Sequence, residues 1–269
     1  MMNRIDQYLT TGSNNMHFIP FITAGDPNTE TTHQLALALQ ELGASALEIG
    51  VPYSDPLADG PVIQRASLRA LKEGMTLVKA FDMVKELRKD GLKIPVIIFT
   101  YYNLLLQLGK NILLDALHTS GIDGLLIPDL PYEESGEIQA LCQKAGIKYI
   151  HLVAPTTSEE RLKRICKSAE GFLYCVSSLG VTGVRNEFHP SIHSFLESVR
   201  KNADCPIAVG FGISSVQQVK ALSGLCDGFI VGSAIVREVE ERLPQLSDHS
   251  TMDEAMEDIK QSLSHKLLL

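Results

Sequence analysis

Short runs rich in Val, Ile, Leu, Phe and Tyr recur eight times along the chain, and stretches with helical periodicity lie between them. That rhythm narrows the possible folds more than any other feature. Strands are expected near residues 18–22, 46–49, 95–100, 123–128, 148–153, 171–176, 206–210 and 227–231. Helical patterns over 29–42, 76–90, 112–120 and 134–145 each run into a glycine, the residue favoured just past a helix end. Ser158 opens a further helix. Ser214 with Gln217 forms a capping-box pattern before 219–222, and Thr251 with Glu254 forms another near the C-terminus. Near-continuous apolar strands alternating with helices imply a parallel sheet covered on both faces. Eight such units in about 250 residues match the size of a (β/α)8 TIM barrel. A doubly wound open sheet is the competing α/β architecture.

Residues 1–243 are expected to form one barrel domain with an extra N-terminal helix. Residues 244–269 are expected to form a C-terminal extension, a hinge followed by an amphipathic helix. With 269 residues, 45% of them hydrophobic, the chain can bury a large core. A formal net charge of −8 without a basic cluster argues against nucleic acid and anionic membranes as partners. The five cysteines are odd in number and show no C-x-x-C spacing, which fits a reduced, cytoplasmic protein. The N-terminus lacks the apolar run of a signal peptide, and the most apolar stretch, 94–99, is far too short to span a bilayer.

In such a barrel, chemistry belongs where strands end and βα loops begin. None of the expected strand ends carries Lys, Arg or His. Schiff-base aldol chemistry then lacks its amine, and zinc-dependent aldol chemistry lacks its ligands, so no metal site is expected. What remains is acid–base work by carboxylates. Residues 47–61, LEIGVPYSDPLADGP, place Glu48 at the mouth of a core strand and Asp55 and Asp59 on the loop after it. Alternation puts Leu47 and Ile49 toward the helix layer and points Glu48 into the barrel. Burial without a cation would raise its pKa toward neutrality. The competing reading is a structural glutamate paired with Arg65 or Arg185. Asp59, just before a helix starting near Val62, is the second candidate acid. Asp55 reads as a turn former and Asp129 as a loop-holding carboxylate.

Gly212 follows the seventh strand, and Gly232 with Ser233 follows the eighth, each leading into a helix. Loops at these two strands of a barrel often bind phosphate through backbone N–H groups. Phe21, Phe99, Tyr101, Tyr174 and Phe211 lie at or near strand ends, where they can line a flat aromatic pocket or simply pack the core. The long loop 177–185, with Thr182 and Gly183, reads as a lid or as a surface loop.

Residues 20–27 (PFITAGDP), 48–61, 128–131 (PDLP), 180–183 (GVTG) and 210–213 (GFGI) together closely resemble the tryptophan synthase α subunit family. The resemblance runs in order from about Ile5 to Arg242. It implies a (β/α)8 barrel that cleaves indole-3-glycerol phosphate to indole and glyceraldehyde 3-phosphate for L-tryptophan biosynthesis. It also implies a β subunit as partner in an α2β2 complex. Pyridoxal phosphate is then expected in that partner, with no cofactor in this chain. The family's catalytic acids fall on Glu48 and Asp59, and its phosphate loops on Gly183, Gly212, Gly232 and Ser233. Its indole pocket falls on Phe21, Tyr174 and Phe211, among others, and its lid threonine on Thr182. Positions associated with the β contact fall on Pro52 and Asp55. Some relatives carry a basic residue where Ser178-Leu179 stand here, which bears on lid contacts rather than on the reaction. Alternatives are a free-standing indole-glycerol phosphate lyase, or a non-catalytic phosphate-binding barrel acting as a regulatory subunit.

Overall fold

Eight parallel strands close on themselves in chain order, the first pairing with both the second and the eighth. The computed structural model describes residues 2–10, 16–177, 191–210, 212–213 and 215–267. The chain begins with α1 (Arg4–Tyr8), β1 (His17–Thr23), α2 (Thr29–Glu41), β2 (Leu47–Gly50), α3 (Pro61–Lys72) and α4 (Leu77–Lys89). It continues through β3 (Val96–Phe99), α5 (Tyr102–Leu108), α6 (Lys110–Thr119), β4 (Gly124–Leu126), α7 (Gly136–Ala145) and β5 (Lys148–Val153). The remainder comprises α8 (Glu159–Ser168), β6 (Leu173–Val176), α9 (Ile192–Asn202), β7 (Ile207–Gly210), α10 (Val216–Ala221) and β8 (Gly228–Val231), then α11 (Ser233–Glu241), α12 (Leu243–Leu246) and α13 (Met252–Leu267). The closed barrel excludes the open doubly wound sheet.

All eight expected strands are present, several trimmed by a residue or two at their ends. Asn28, Thr76 and Ser158 cap α2, α4 and α8 by accepting backbone N–H bonds from Thr31, Lys79 and Arg161. Two local expectations are corrected. Helix α5 was not foreseen; it ends at Gly109, whose φ of +80° breaks the chain before α6. Near the seventh strand the cap is Ser215 on the Gln218 N–H, one residue beyond the expected pair, and Ser214 lies outside the described residues. The Thr251 hydroxyl donates to the Gln245 carbonyl at 2.9 Å, closing the turn between α12 and α13. Pro244 sits in the first turn of α12, where a missing N–H costs nothing. The final helix α13 packs on α2, α11 and α12.

Alternation sorts the strand side chains into two cores. Leu47, Ile49, Val96 and Ile98 face the helices, while Ile19, Ala46, Ile97, Ile150, Phe172 and Ile230 fill the barrel interior. The floor of that interior is closed by α1, whose Ile5 is wholly buried. Gly124 and Gly171 make room for it, because a Cβ at either would stand 3.0 to 3.1 Å from the Ile5 side chain. Asp123 anchors the plug from below, accepting from Arg4 at 3.0 Å, Arg88 at 2.7 Å and the Val96 N–H at 2.9 Å. Truncating a fully packed Ile typically costs about 2–5 kcal/mol. Ile5→Ala is therefore expected to lower stability by that order in urea unfolding. A loss below about 1 kcal/mol would show that α1 is not what seals the barrel.

Candidate active site

The apolar interior rises from this floor to a mouth where polar groups first occur. In the strand register Glu48 of β2 stands between Phe21 of β1 and Ile97 of β3. Its side chain has no exposed surface, and neither carboxyl oxygen has a hydrogen-bond partner among the described residues. Burial alone pushes its pKa up to about 8. The competing pairing with Arg65 does not occur. Arg65 lies on the outer side of α3 and pairs with Glu240 at 2.6 Å. Arg185 lies outside the described residues.

Asp59 sits at the end of the loop after β2, two residues before Pro61 opens α3. The Gln64 side chain holds its backbone carbonyl at 2.8 Å. Its carboxylate is buried, and burial pushes the pKa up to about 6, opposed by a hydrogen bond from Tyr101. The Tyr101 hydroxyl accepts the Ala58 N–H and donates to Asp59 Oδ2, both at 3.1 Å. Since the oxygen already accepts from an amide, its proton is directed to the carboxylate and favours the ionised form.

Glu48 and Asp59 open into one cleft of about 500 Å³, its mouth included. Phe21, Phe99 and Tyr174 give it an aromatic wall, with Phe21 and Phe99 edge to face at 5.6 Å. Gly212, Gly232 and Ser233 complete the polar part of the lining. Ser233 is the first residue of α11, so N–H groups of that helix's first turn, which have no partner within the helix, lie at the cleft. Two strand-end glycines shape the wall. A Cβ on Gly50 would stand 2.3 Å from Phe21 Cζ, and one on Gly210 2.3 Å from the Tyr174 hydroxyl.

Tyr101 stands against Asp59 at the cleft and stacks on Tyr53 at 4.9 Å. Thr182, Gly183 and Phe211 lie outside the described residues. Asp129 accepts the Tyr102 N–H at 2.9 Å, which fixes the start of α5. Asp55 is exposed and accepts from the Ser54 hydroxyl, whereas Pro52 is buried. Ile63, Ile213 and Ile230 also line the cleft and were not foreseen. They carried no signal beyond apolarity. Among the described residues no group of three or more His, Cys, Asp or Glu could hold a metal ion.

Known proteins match this arrangement along nearly the whole chain. The family described as Tryptophan synthase alpha chain matches residues 9–266. The chain is 57% identical to the tryptophan synthase alpha chain of Bacillus licheniformis over 239 residues, covering 89% of each protein. It is 55% identical to that of Bacillus subtilis over 243 residues, covering 90% of this chain and 91% of the relative. Among solved structures, tryptophan synthase subunit alpha from Legionella pneumophila superposes with a TM-score of 0.83 at 34% identity, covering 98% of this chain and 99% of that one. A chain of the tryptophan synthase α2β2 complex of Pyrococcus furiosus gives 0.83 at 38% identity, covering 94% and 98%.

The raised pKa values make stability depend on pH with a definite sign. A carboxyl whose folded pKa lies above its unfolded value binds more protons in the native state, so stability falls as pH rises through that interval. For Glu48 the interval runs from 4.5 to about 8, and for Asp59 from 3.8 to about 6. At 1.36 kcal/mol per pKa unit, Glu48 accounts for at most about 5 kcal/mol. Glu48→Gln should therefore gain stability relative to the native chain between pH 5 and pH 8.5 in urea titrations. An unchanged difference across that range would mean that Glu48 is not buried without a counter-ion.

Proposed function

The chain belongs to the tryptophan synthase alpha chain family, and from that membership we propose that its cleft cleaves indole-3-glycerol phosphate to indole and glyceraldehyde 3-phosphate. The activity is that of a lyase that breaks a carbon–carbon bond. What carries the residue-level reading is Glu48, a proton-bearing carboxyl facing an aromatic-walled cleft with no cation beside it among the described residues.

A retro-aldol cleavage needs a place for electrons, and the substrate's indole ring provides one once protonated at C3. Glu48 is protonated near neutral pH and delivers that proton, which turns the ring into an iminium-like sink. The resulting carboxylate then takes the proton of the side-chain hydroxyl. The C–O bond becomes a carbonyl, the bond from C3 to the side chain breaks, and its electron pair returns to the ring. Glu48 ends with the proton count it began with. Asp59, held ionised by Tyr101, accepts a hydrogen bond from the indole N–H and stabilises the positive charge that develops there. Phe21, Phe99 and Tyr174 enclose the bicyclic ring. Gly212, Gly232 and Ser233, with the first turn of α11, hold the phosphate without a lysine.

The partner in this reading is a tryptophan synthase β subunit in an α2β2 complex, which receives the indole and carries pyridoxal phosphate itself. On the loop that bears Asp59, exposed Asp55 and Leu57, the latter 78% exposed, are the side chains offered to it. Buried Pro52 shapes that loop from beneath. No helix among the described residues is long and apolar enough to cross a membrane. Five free cysteines, four of them buried, fit a reducing cytoplasm.

General acid–base catalysis of this kind contributes about 10²–10⁴-fold per group. Glu48→Gln and Asp59→Asn are each expected to cut indole release from indole-3-glycerol phosphate by at least about 10²-fold. Substrate binding should survive in both. The assay is run with and without a tryptophan synthase β subunit, whose addition should raise the native rate. Near-native turnover in Glu48→Gln would remove that residue from the chemistry.

A further inference from the structure

One guanidinium outside the cleft ties together three elements that build it. Arg69, on α3, donates from Nε to Asp26 Oδ1 at 2.6 Å and from Nη2 to Asp26 Oδ2 at 3.0 Å. Its Nη1 reaches Glu240 Oε1 on α11 at 2.8 Å. Glu240 also receives Nε and Nη2 of Arg65, one helical turn earlier on α3, at 2.7 and 2.6 Å. Asp26, on the loop after β1, has a side chain only 3% exposed. Each element so joined also contributes to the cleft. β1 carries Phe21, the start of α3 carries Ile63 just after Asp59, and α11 begins with Ser233.

We propose that Arg69 is a positioning residue for the reaction, holding the loop of Asp59 and the phosphate-facing start of α11 in fixed register through Asp26 and Glu240. The inference rests on the roles proposed above for Asp59 and Ser233. Its physical basis is leverage. Arg69 lies about 12 Å along α3 from the start of the helix, at 1.5 Å per residue. A tilt of α3 about this anchor shifts Asp59 bodily, and a slip of α11 shifts Ser233. Misplacement of reacting groups by 1 Å can cost about 10²-fold in rate. The planar fork matters as well as the charge. Arg meets both oxygens of Asp26 and one of Glu240 at once, whereas Lys offers a point charge on a flexible stem and cannot fix both directions. A clamp serving only fold stability would show in melting temperature and leave kinetics alone.

Arg69→Lys is expected to lower kcat/KM for indole-3-glycerol phosphate by about tenfold or more, with kcat falling and KM rising. Glu240→Gln, which leaves the Asp26–Arg69 pair in place, should act on the α11 side. It should raise KM, and the inhibition constant of inorganic phosphate, by about threefold or more with a smaller change in kcat. Both variants are assayed with the β subunit present and are melted in parallel. Should Arg69→Lys fail to fold, Glu240→Gln carries the test by itself. If either folded variant keeps kcat, KM and phosphate inhibition within twofold of native while its melting temperature drops, the clamp is structural and the proposal is wrong. Glu48→Gln is measured alongside. Retained turnover there overturns the reading of the reaction, whereas native kinetics in the Arg69 and Glu240 variants overturns only the clamp.

Discussion

A carboxyl group removed from water, with no cation to meet it among the described residues, is the constraint around which this barrel is arranged. In the register of β1, β2 and β3, the neighbours of Glu48 are Phe21 and Ile97. The interior beneath is apolar down to the Ile5 plug. Ionising such a group costs several kcal/mol relative to water, so the proton stays on near neutrality. A salt bridge would have solved the energetic problem and removed the chemistry, because a paired glutamate is a poor acid. Three arginines among the described residues that could have played that part are committed elsewhere. Arg65 and Arg69 face Glu240 and Asp26, and Arg88 faces Asp123 at the barrel floor.

The same economy of space governs the wall of the cleft. Gly50 and Gly210 end β2 and β7 in ordinary extended backbone, so neither is there for its φ. Each leaves the volume that Phe21 or Tyr174 occupies, and a methyl group at either would overlap the ring or hydroxyl by more than an ångström. The strand ends thus do two things at once. They carry the acid on β2, and they lower the rim enough for aromatic rings to lie across the opening.

The barrel was legible because eight strand–helix units have few ways to bury their apolar faces. Glu48 was legible because Leu47 and Ile49 commit the other face of a four-residue strand. Local chemistry marked the start of α8 at Ser158, whose hydroxyl accepts the Arg161 N–H. It failed for α5, where Leu104, Leu105 and Leu106 form an apolar run with no capping residue before it, since Tyr101 takes the N-cap place without a side-chain bond. What holds α5 instead is Asp129, from a loop that neighbouring residues in the sequence cannot reveal. The same reason hid the contact Tyr101 makes, since its hydroxyl finds Asp59 across 42 positions of sequence. The Arg69 clamp spans still longer separations, 43 residues to Asp26 and 171 to Glu240, and no spacing rule reaches that far.

Two carboxyl groups in one cleft must hold different protonation states for a proton to be given at one point and positive charge stabilised at another. Burial raises both pKa values, Glu48 more than Asp59, which starts from a lower value and is less completely buried. Hydrogen bonding widens the gap. Glu48 has no donor among the described residues and rises to about 8, whereas Asp59 receives the Tyr101 hydroxyl and stops at about 6. The Tyr101 oxygen also accepts the Ala58 N–H, which leaves its proton for the aspartate. Between those two values one group is an acid and the other an anion, which is the pairing used in the proposed C3 protonation of an indole. The loop carrying Asp59 therefore packs both of the groups that meet the Tyr101 oxygen, its own Ala58 N–H and the Asp59 carboxylate, so a movement of this loop alters both contacts together.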